Sequence, residues 1–399
     1  MRKKTVRDVN ISGKRVLVRV DVNVPFKPGT TVISDDSRIR AIMPTISYLK
    51  KHGASIILCS HLGRPGGKVA KEMRLGPVAY RLESLLGEPI TYLRDCVGTI
   101  VEEASEELEP GQVLLLENLR FHTEEEENDL AFARKLASLA DLYVNDAFGA
   151  AHRAHASIHA ITKFLPSVAG LQMERELKML SAALNDPARP LGAVIGGAKV
   201  SDKISVLQNL VNRVNRLFIG GGMAATFLKA QGQEMGLSTV EDDWVVLASD
   251  ILHSAHEQGV AVHFPKDFVI TNHFSSDGAT QIVNSGQVPA DSYVMDIGPS
   301  TIKAFAKDLP QCRTVLWNGP MGVFEFEPFS KGTRAVAELL ADMIGAITVV
   351  GGGSTAEAVE EMGLTTGMTH VSMGGGASLE FMEGRELPGV ATLPDRENT

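Results

Sequence analysis

The chain has 399 residues, of which 44% are apolar and 22% charged. This is the composition of a globular protein, and it excludes intrinsic disorder, collagen and coiled coil as descriptions of the whole chain. The net charge of −9 argues against nonspecific binding to nucleic acid or to an acidic membrane surface. At about 150 residues per domain, the length predicts two to three domains.

The three cysteines lie far apart and form no CxxC pair, which excludes a zinc ribbon and a redox motif. An odd number of cysteines fits a reducing compartment. No apolar run follows the basic start, and no stretch of about 18 uninterrupted apolar residues occurs. We therefore expect a cytoplasmic protein without a membrane span and without a nucleic-acid partner.

Short apolar runs alternate with turns and amphipathic stretches, a rhythm that predicts βαβ units around parallel sheets. In the first half the predicted strands are Arg15–Val24, Ser55–Ser60, Val113–Glu117 and Leu142–Asn145. In the second half they are Gly192–Ile195, Arg216–Ile219, Ala261–Phe264, Thr314–Trp317 and Thr348–Val350. Unbroken Ile, Leu and Val are typical of strands covered by helices on both faces. The predicted fold class is α/β, with two Rossmann-like, doubly wound domains joined by a hinge helix.

Between the halves, apolar residues recur at helical spacing from Met173 to Leu184, and a helix-stop signal follows. We predict an interdomain helix over residues 173–186 that serves as the hinge. It separates an N-terminal domain, residues 1–172, from a C-terminal domain, residues 187–387. The tail, from about 388 to 399, is expected to pack back on the N-terminal domain.

In open parallel sheets, ligands bind beyond the carboxyl ends of the strands. Period two puts Arg19, Asp21 and Asn23 on one face near the end of the first strand, with a solvated face as the alternative. The following strands lead into His61-Leu62-Gly63-Arg64, Asn118-Leu119-Arg120 and His152-Arg153, and Arg38 lies in a further turn. One such arginine alone is most simply a surface charge. Several guanidiniums on one rim predict a site for a small polyanion.

In the second half, the same positions carry glycine runs that begin at Gly196, Gly220, Gly351 and Gly374. Glycine lets the backbone approach a ligand, and a helix N-terminus offers free N–H groups to an anion. One run could be only a tight turn, but four predict a nucleotide site. If a helix begins at GGAKVSDKI, Lys199 and Lys203 would share one face of its first turn. Positive charges at a helix N-terminus are unfavourable because of the helix dipole, and a bound anion would explain why they are there.

Other classes of protein stay open at this point. Gly220–Ala225 fits G-x-G-x-x-A with acidic residues about twenty positions later, so an NAD(P)-dependent oxidoreductase is the alternative enzyme. A noncatalytic two-domain binding protein is a further alternative. The chain has no Walker A motif and no protein-kinase H-R-D-x4-N motif. The metal-like spacing of His152, His155 and His159 lacks HExxH, so packed or solvated histidines are expected. Glu124–Glu127 is expected to be a solvated helix start.

Across essentially the whole chain, the sequence resembles the phosphoglycerate kinases. The matching strings in the first half are RVDVNVP at Arg19–Pro25, SHLGRP at Ser60–Pro65, ENLRFH at Glu117–His122 and DAFGAAHRAH at Asp146–His155. Those in the second half are GGAKVSDKI at Gly196–Ile204, GGGMA at Gly220–Ala224, WNGPMGVFE at Trp317–Glu325 and GGGAS at Gly374–Ser378. The resemblance implies reversible, in-line phosphoryl transfer between 1,3-bisphosphoglycerate and MgADP after hinge closure of the two domains. It also implies a cytoplasmic monomer whose partners are small molecules.

The resemblance further implies which residues bind the substrates. For phosphoglycerate they are Asp21, Val22, Asn23, Arg38, His61, Leu62, Gly63, Arg64, Arg120 and Arg153. For the nucleotide they are Lys203, Gly298, Asn318, Glu325, Gly352, Gly353, Ser354 and Thr355. Arg38 and Lys199 would close on the transferring group as the catalytic residues.

The implied cofactor is Mg²⁺, but one position departs from the family pattern. The family usually reads GGGD[ST], with the Asp helping to hold magnesium, and this chain has Ser354 there. We expect retained activity, with the metal held by phosphates, water and the hydroxyl of Ser354 or Thr355. The metal ligands supplied by the protein stay unknown from the sequence.

Overall fold

The computed structural model describes residues 2–396, in which strands and helices alternate as the βαβ pattern predicts. The strands of the first half are β1 (Arg15–Arg19), β2 (Ser55–Cys59), β3 (Thr91–Tyr92), β4 (Val113–Leu115), β5 (Leu142–Asn145) and β6 (Ser167–Ala169). Its helices are α1 (Ser37–Lys51), α2 (Gly76–Leu86), α3 (Thr99–Glu106), α4 (Thr123–Glu126), α5 (Leu130–Ala137) and α6 (Leu171–Asn185).

The second half continues the alternation, with one additional small sheet. Its strands are β7 (Leu191–Ile195), β8 (Arg216–Ile219), β9 (Ala261–His263), β10 (Asp267–Thr271), β11 (Gln281–Asn284), β12 (Tyr293–Ile297), β13 (Thr314–Asn318), β14 (Ile347–Gly351) and β15 (His370–Val371). Its helices are α7 (Ile204–Val211), α8 (Ala224–Ala230), α9 (Val245–Glu257), α10 (Pro299–Asp308), α11 (Lys331–Ala341), α12 (Gly353–Glu361), α13 (Gly376–Met382) and α14 (Pro388–Ala391).

Two compact units divide the chain. The first comprises residues 2–178 and 386–396, and the second is Met179–Arg385, so the division falls inside α6. In the first unit, Lys3 pairs with Asp395 and donates to the Leu393 carbonyl at 2.8 Å. The last three residues of the predicted tail, 397–399, lie outside the described residues. In the described part of the chain, no helix combines the length and apolar character needed to cross a bilayer.

The first unit is built on a parallel six-stranded sheet in the order β3-β4-β2-β1-β5-β6. The strand order reverses beside β1 and β5, and such a switch point is where open α/β sheets bind ligands. Side chains alternate between two cores: Val16 and Val18 belong to one, and Leu17 belongs to the other. The sheet is therefore covered on both faces, as the unbroken apolar runs predict.

The second unit repeats this arrangement with a parallel sheet in the order β15-β14-β13-β7-β8-β9. Its switch point lies beside β7 and β13. A separate antiparallel sheet, β11-β10-β12, is missing from the sequence prediction. Buried carboxylates interrupt its apolar pattern at Asp267 and Asp296, and β11 is largely exposed, so the segment lacks the unbroken runs of the parallel strands.

Most predicted elements differ from the observed ones by one or two residues at an end, and two predictions differ by more. The first strand ends at Arg19 and not at Val24, because its neighbours β2 and β5 also end at the residues paired with Arg19. Helix α7 begins at Ile204, with Lys203 as its N-cap residue. Lys199 therefore lies in the preceding loop, and the prediction that both lysines share the first turn of one helix is wrong.

Candidate functional site

Predicted site residues of the first unit meet beyond the carboxyl ends of β1, β2 and β4. Arg38, the second residue of α1, forms an ion pair with Asp21. Asn23 Oδ1 accepts a hydrogen bond from the Gly63 amide at 2.8 Å, and Arg120 Nη1 donates to the Gly63 carbonyl at 2.7 Å. These bonds join the segment after β1 to the turns that follow β2 and β4. The three strand ends thus form one rim.

The positive charge of this rim surrounds His61, which is only 5% exposed. Burial lowers the pKa of its imidazole well below the ordinary 6.5, and the charges of nearby arginines lower it further. In order of effect, these are Arg19, Arg120, Arg153 and Arg38. His61 is therefore neutral at pH 7, and the cluster of guanidiniums around it suits a small polyanion.

Arg120 has a buried donor that is available to an anion at this rim. The residue is 2% exposed, and its Nη2 has no hydrogen-bond partner among residues 2–396. Burial lowers the pKa of the guanidinium to about 10, and the charge of Arg153 adds to this effect. A buried guanidinium N–H that stays unpaired is costly, and an anionic oxygen of a ligand would satisfy it.

Asn118 holds two turns of the rim together, a role that the sequence analysis did not assign. Its Oδ1 accepts from the amides of Leu62 at 3.2 Å and Arg120 at 3.1 Å. Its Nδ2 donates to the carbonyls of Leu62 at 2.7 Å and Met73 at 2.9 Å. The sequence does contain a signal for it, since Asn is a preferred capping residue and Asn118 precedes a short 3₁₀ turn, Leu119–Phe121.

The other residues of the predicted phosphoglycerate set differ in exposure. Val22 is buried, and its amide donates to Ser60 Oγ at 3.2 Å. Arg153 is half-buried, and its Nε donates to His152 Nε2 at 3.1 Å. Arg64 is exposed in the turn after β2 and is not among the four arginines that act most on His61. Of the predicted arginines, Arg38, Arg120 and Arg153 are thus the ones whose charges lower the pKa of His61.

The three histidines with metal-like spacing make separate contacts, as expected for packed side chains. Burial, followed by the charge of nearby arginines, lowers the pKa of His152 to about 4 and that of His155 to about 3. His159 Nδ1 lies 3.1 Å from Asn128 Nδ2. None of these histidines belongs to a group of potential metal ligands in the described part of the chain.

A different group of three potential metal ligands does exist, namely Asp95, Cys96 and His122, whose ligand atoms lie within 4.8 Å of one another. Asp95 Oδ1 already accepts hydrogen bonds from His122 Nε2 at 2.9 Å and from the Cys96 amide at 2.7 Å. These bonds account for the cluster without an ion.

The acidic run Glu124–Glu127 is not wholly solvated, which corrects the prediction. Glu125 is completely buried within α4. Its carboxylate accepts hydrogen bonds from Ser157 Oγ at 2.6 Å and from the Ser157 amide at 2.9 Å. The partner lies 32 positions along the chain, so a local charge pattern could not identify it.

We expect acid to destabilise the first unit through its buried neutral histidines. The pKa of His155 is about 3 in the folded chain, against an ordinary 6.5. Between these values the unfolded chain binds a proton that the folded chain excludes, so stability falls as the pH drops below 6.5. Thermal melting from pH 7 to pH 4.5 should show a smaller loss in His155→Gln than in the native chain.

The comparison between variants is needed because Asp146 and Asp296 act in the opposite direction. Burial raises the pKa of Asp146 to about 6 and that of Asp296 to about 7. Folding therefore favours their protonated forms, and their contribution to stability falls as the pH rises from the ordinary 3.8. Identical acid sensitivity in the native chain and His155→Gln would contradict a buried neutral His155.

The second unit places cationic and amide donors at the start of α12, beyond β13 and β14. Lys203 Nζ donates to Asn318 Oδ1, and burial lowers the pKa of the lysine. Asn318 is completely buried, and its Nδ2 has no hydrogen-bond partner among the described residues. A Cβ added to Gly352, the N-cap residue of α12, would lie 2.9 Å from that Nδ2. An ammonium, an unpaired amide and a helix N-terminus together suit an anion.

Most glycines beside the second switch point pack against other loops. A Cβ at Gly319 would lie 2.1 Å from the Gly196 carbonyl oxygen, and one at Gly221 would lie 2.6 Å from the Gly197 nitrogen. Any residue with a Cβ at either position would therefore collide with the backbone of the neighbouring loop. Gly353 differs, since it is exposed and a Cβ there would meet nothing within 4 Å. Gly319 and Gly221 therefore serve loop packing, whereas Gly353 faces open space.

This packing removes the basis of the oxidoreductase alternative. The fingerprint Gly220–Ala225 requires a glycine backbone that a pyrophosphate can approach. Gly221 is instead covered by the backbone of Gly197 and Pro320. The sequence pattern could not show this, because a glycine that makes room for a ligand and a glycine that makes room for a neighbouring loop look the same in the sequence.

The two hydroxyls considered for magnesium are placed differently. Thr355 is buried, and its Oγ1 accepts a hydrogen bond from the Gly319 amide at 2.7 Å. Ser354 is exposed at the second position of α12. No carboxylate stands among residues 351–355. Of the two hydroxyls, Ser354 is therefore the one open to a metal ion that arrives with phosphates.

The remaining three residues of the predicted nucleotide and catalytic set make different contacts. Gly298 is buried, and a Cβ there would lie 2.4 Å from the Asp267 carboxyl carbon. Glu325 is exposed between β13 and α11, and Lys199 is exposed in the loop between β7 and α7. The contacts described above bring together Lys203, Asn318 and the start of α12. Gly298, Glu325 and Lys199 are not among the residues that make those contacts.

Comparisons with known proteins agree along the whole chain. The family model described as phosphoglycerate kinase matches residues 6–385. A phosphoglycerate kinase of Moorella thermoacetica is 56% identical over 396 residues, covering 99% of this chain and 100% of the relative. One of Herpetosiphon aurantiacus is 54% identical over 396 residues, with the same coverage of both chains.

Solved structures give the same result. The phosphoglycerate kinase of Coxiella burnetii superposes with a TM-score of 0.88 at 40% identity, and that of Pyrococcus horikoshii with 0.85 at 34% identity. Each comparison covers 98% of both chains. The oxidoreductase alternative finds no support in these relatives. With the family model and the relatives both spanning nearly its full length, the chain belongs to the phosphoglycerate kinase family.

Proposed function

We propose that the chain catalyses reversible transfer of a phosphoryl group from 1,3-bisphosphoglycerate to MgADP, giving 3-phosphoglycerate and MgATP. One observation supports this most directly. Each unit holds a completely or almost completely buried donor without a partner among the described residues, at the carboxyl end of its sheet. These donors are Arg120 Nη2 and Asn318 Nδ2. Two anionic ligands, one for each unit, would satisfy them.

In this proposal the first unit binds phosphoglycerate. The cluster of guanidiniums around His61 provides bidentate donors for phosphate and carboxylate oxygens. Asp21 and Asn23 bind the hydroxyl and carboxylate end. The backbone of Val22, Leu62 and Gly63 shapes the rim through the bonds described above.

The second unit binds the nucleotide. Lys203 contacts its phosphates, and the first N–H groups of α12, at Gly353 and Ser354, donate hydrogen bonds to the oxygens of the phosphate chain. Asn318 and Gly298 line the site, and Glu325 contacts the ribose. The support for Lys203 and Asn318 is their direct hydrogen bond beside Gly352.

The chemistry requires no protein nucleophile. Phosphoryl transfer depends on in-line positioning and on stabilisation of charge at the transferring group. Arg38 and Lys199 supply that positive charge. Magnesium bound to the nucleotide phosphates would neutralise part of their charge, with water and the Ser354 hydroxyl as further oxygen ligands.

Transfer also requires the two substrates to meet. We propose that residues 173–186 act as the hinge, and that closure excludes water, which would otherwise hydrolyse the acyl phosphate. Small-angle scattering should show compaction only when both substrates are bound. A radius of gyration that stays constant with both substrates would contradict the hinge.

The decisive test of function is a coupled turnover assay with 3-phosphoglycerate and MgATP. We expect turnover that depends on both substrates. We further propose that the enzyme is a monomer and acts in the cytoplasm. Omission of 3-phosphoglycerate is the control, since a noncatalytic binding protein would give the same background with and without it. No turnover at any magnesium concentration would overturn the proposal.

Ser354 gives a prediction about magnesium. We expect Ser354→Asp to reach half-maximal rate at a lower Mg²⁺ concentration than the native chain, because a carboxylate adds a charged oxygen ligand beside the phosphates. The measurement is initial rate against Mg²⁺ concentration at fixed total ATP. Ser354→Asn, which adds a neutral oxygen of similar size, is the control. Equal Mg²⁺ dependence in all three chains would show that position 354 does not face the metal.

A further inference from the structure

A buried chain of hydrogen bonds lies behind the arginine rim of the first unit. Arg19, at the end of β1, is completely buried, and so are Glu125 and Ser157. Arg19 Nε donates to Ser157 Oγ at 2.9 Å, and Arg19 Nη2 lies 3.1 Å from His61 Nδ1. A third bond, from Nη1 to the Val20 carbonyl, fixes the remaining edge of the guanidinium. Arg19 therefore reaches the rim through His61 and not through an exposed face.

The chemistry of the groups assigns every hydrogen in this chain. A guanidinium has only donors, so His61 Nδ1 must be the acceptor. A neutral imidazole carries one N–H, which places the proton of His61 on Nε2. Ser157 Oγ accepts from Arg19, so its own proton is free to point to Glu125 Oε1, 2.6 Å away. The direction of each bond thus follows from the one before it.

Charge balance explains why Glu125 ends the chain. A buried guanidinium without a counter-charge would be strongly destabilising. Glu125 is held by two bonds to Ser157, from Oγ at 2.6 Å and from the amide at 2.9 Å. Tyr143 Oη donates to the Ser157 carbonyl at 2.6 Å, which fixes the serine from its other side. The carboxylate can therefore hold the serine hydroxyl in one orientation.

We propose that Glu125 and Ser157 are positioning residues that act through Arg19 to hold His61 as the Nε2–H tautomer, so that its ring donates a hydrogen bond to an anionic oxygen of phosphoglycerate. The ligand in this statement rests on the proposed function. The tautomer itself does not, because it follows from contacts within the first unit. Arg19 is then a link between the carboxylate and the histidine, and no contact between Arg19 and the substrate is required.

The tautomer can be measured directly in the native chain by two-bond ¹H–¹⁵N correlation spectra of protein labelled with ¹⁵N-histidine. His61→Gln identifies the resonances of His61. We expect Nε2 to resonate as a protonated nitrogen and Nδ1 as an unprotonated one at pH 7, without substrate. A protonated Nδ1, or averaged nitrogens, would overturn the proposal whatever the variants do.

Ser157→Ala tests the link from Glu125 to His61. We expect KM for 3-phosphoglycerate to rise about tenfold, which corresponds to about 1.4 kcal/mol, while kcat and KM for MgATP change less than about twofold. The His61 nitrogens should move toward an averaged pair. Ser105→Ala is the matched control, since Ser105 is also a buried serine of the first unit whose Oγ donates to a carbonyl, that of Glu102, at 2.7 Å.

Glu125→Gln provides a second variant that keeps the shape of the side chain and removes its charge. It should reproduce the KM effect and the change in the His61 spectrum, whereas Glu124→Gln, on the exposed side of α4, should not. Unchanged His61 nitrogens in a folded Ser157→Ala or Glu125→Gln chain would overturn the positioning role. A native chain without kinase activity but with the Nε2–H tautomer would instead locate the failure in the proposed function.

Discussion

Replacement of Arg38 with alanine is expected to lower kcat by a factor of about 10³ to 10⁵, because a guanidinium on a transferring phosphoryl group contributes rate enhancements of that size. The residue stands at the second position of α1 and pairs with Asp21. KM for MgATP should change less than about twofold, since the loss affects the transition state and not nucleotide binding. The measurement is steady-state turnover with both substrates saturating.

Arg40→Ala is the matched control for this prediction. Arg40 is an exposed arginine of the same helix, and its ion pair is with Asp36, four residues earlier. We expect its kcat to stay within about twofold of the native value. Arg38→Lys should recover only part of the rate, because an ammonium cannot donate bidentately. A fall in kcat of less than about tenfold in Arg38→Ala would show that Arg38 is not the catalytic arginine.

The second large effect is expected from Gly319→Ala, and it concerns stability. Gly319 has φ +95°, and a Cβ there would lie 2.1 Å from the Gly196 oxygen and 2.3 Å from its carbonyl carbon. Both obstacles are backbone atoms at the switch point of the second sheet, so no side-chain rotation relieves the clash. We expect a loss of about 3 kcal/mol or more. For a unit of this size, that lowers Tm by roughly 6 to 12 °C.

Gly353→Ala separates the packing role of glycine from a ligand role. Its Cβ would meet nothing within 4 Å, and its position in the first turn of α12 accepts alanine well. We expect Tm to stay equal or to rise slightly, while KM for MgATP increases because a methyl group occupies the space proposed for phosphate. The two variants are compared by calorimetry and by initial rates. An unchanged KM in Gly353→Ala would place the phosphates elsewhere, and an unchanged Tm in Gly319→Ala would contradict the packing.

Nine of the twelve parallel strands described could be predicted from sequence, because each of the nine contains a short apolar run bounded by turn residues. The other three, β3, β6 and β15, have only two or three residues. Leu142–Asn145 and Arg216–Ile219 have the observed bounds exactly as their apolar pattern predicts. The family could also be identified, since long strings such as ENLRFH and GGAKVSDKI are specific. Parallel topology then puts the residues after each strand at one edge, and this is why several arginines of the first unit were expected on a common rim.

Other features depended on partners far away in the chain. The first strand stops at Arg19 because β2 and β5 stop beside it, and Arg19 turns inward because Ser157, 138 positions later, accepts its hydrogen bond. In the sequence, Glu125 is one of four consecutive glutamates that look solvated. In the structure it is buried, and its carboxylate accepts a hydrogen bond from that same serine.

By itself, the sequence determined nine of the twelve strands described in the two parallel sheets, the glycine and arginine content of the strand ends, and the family. Only the tertiary structure decided which of these groups are buried and what faces them. Among the described residues, Asn318 Nδ2 and Arg120 Nη2 are left without hydrogen-bond partners. Gly319 packs against Gly196, whereas Gly353 faces open space. The physical reason is that apolar periodicity is a local property of the chain. Burial, hydrogen-bond pairing and steric contact are relations between segments that meet only when the chain folds.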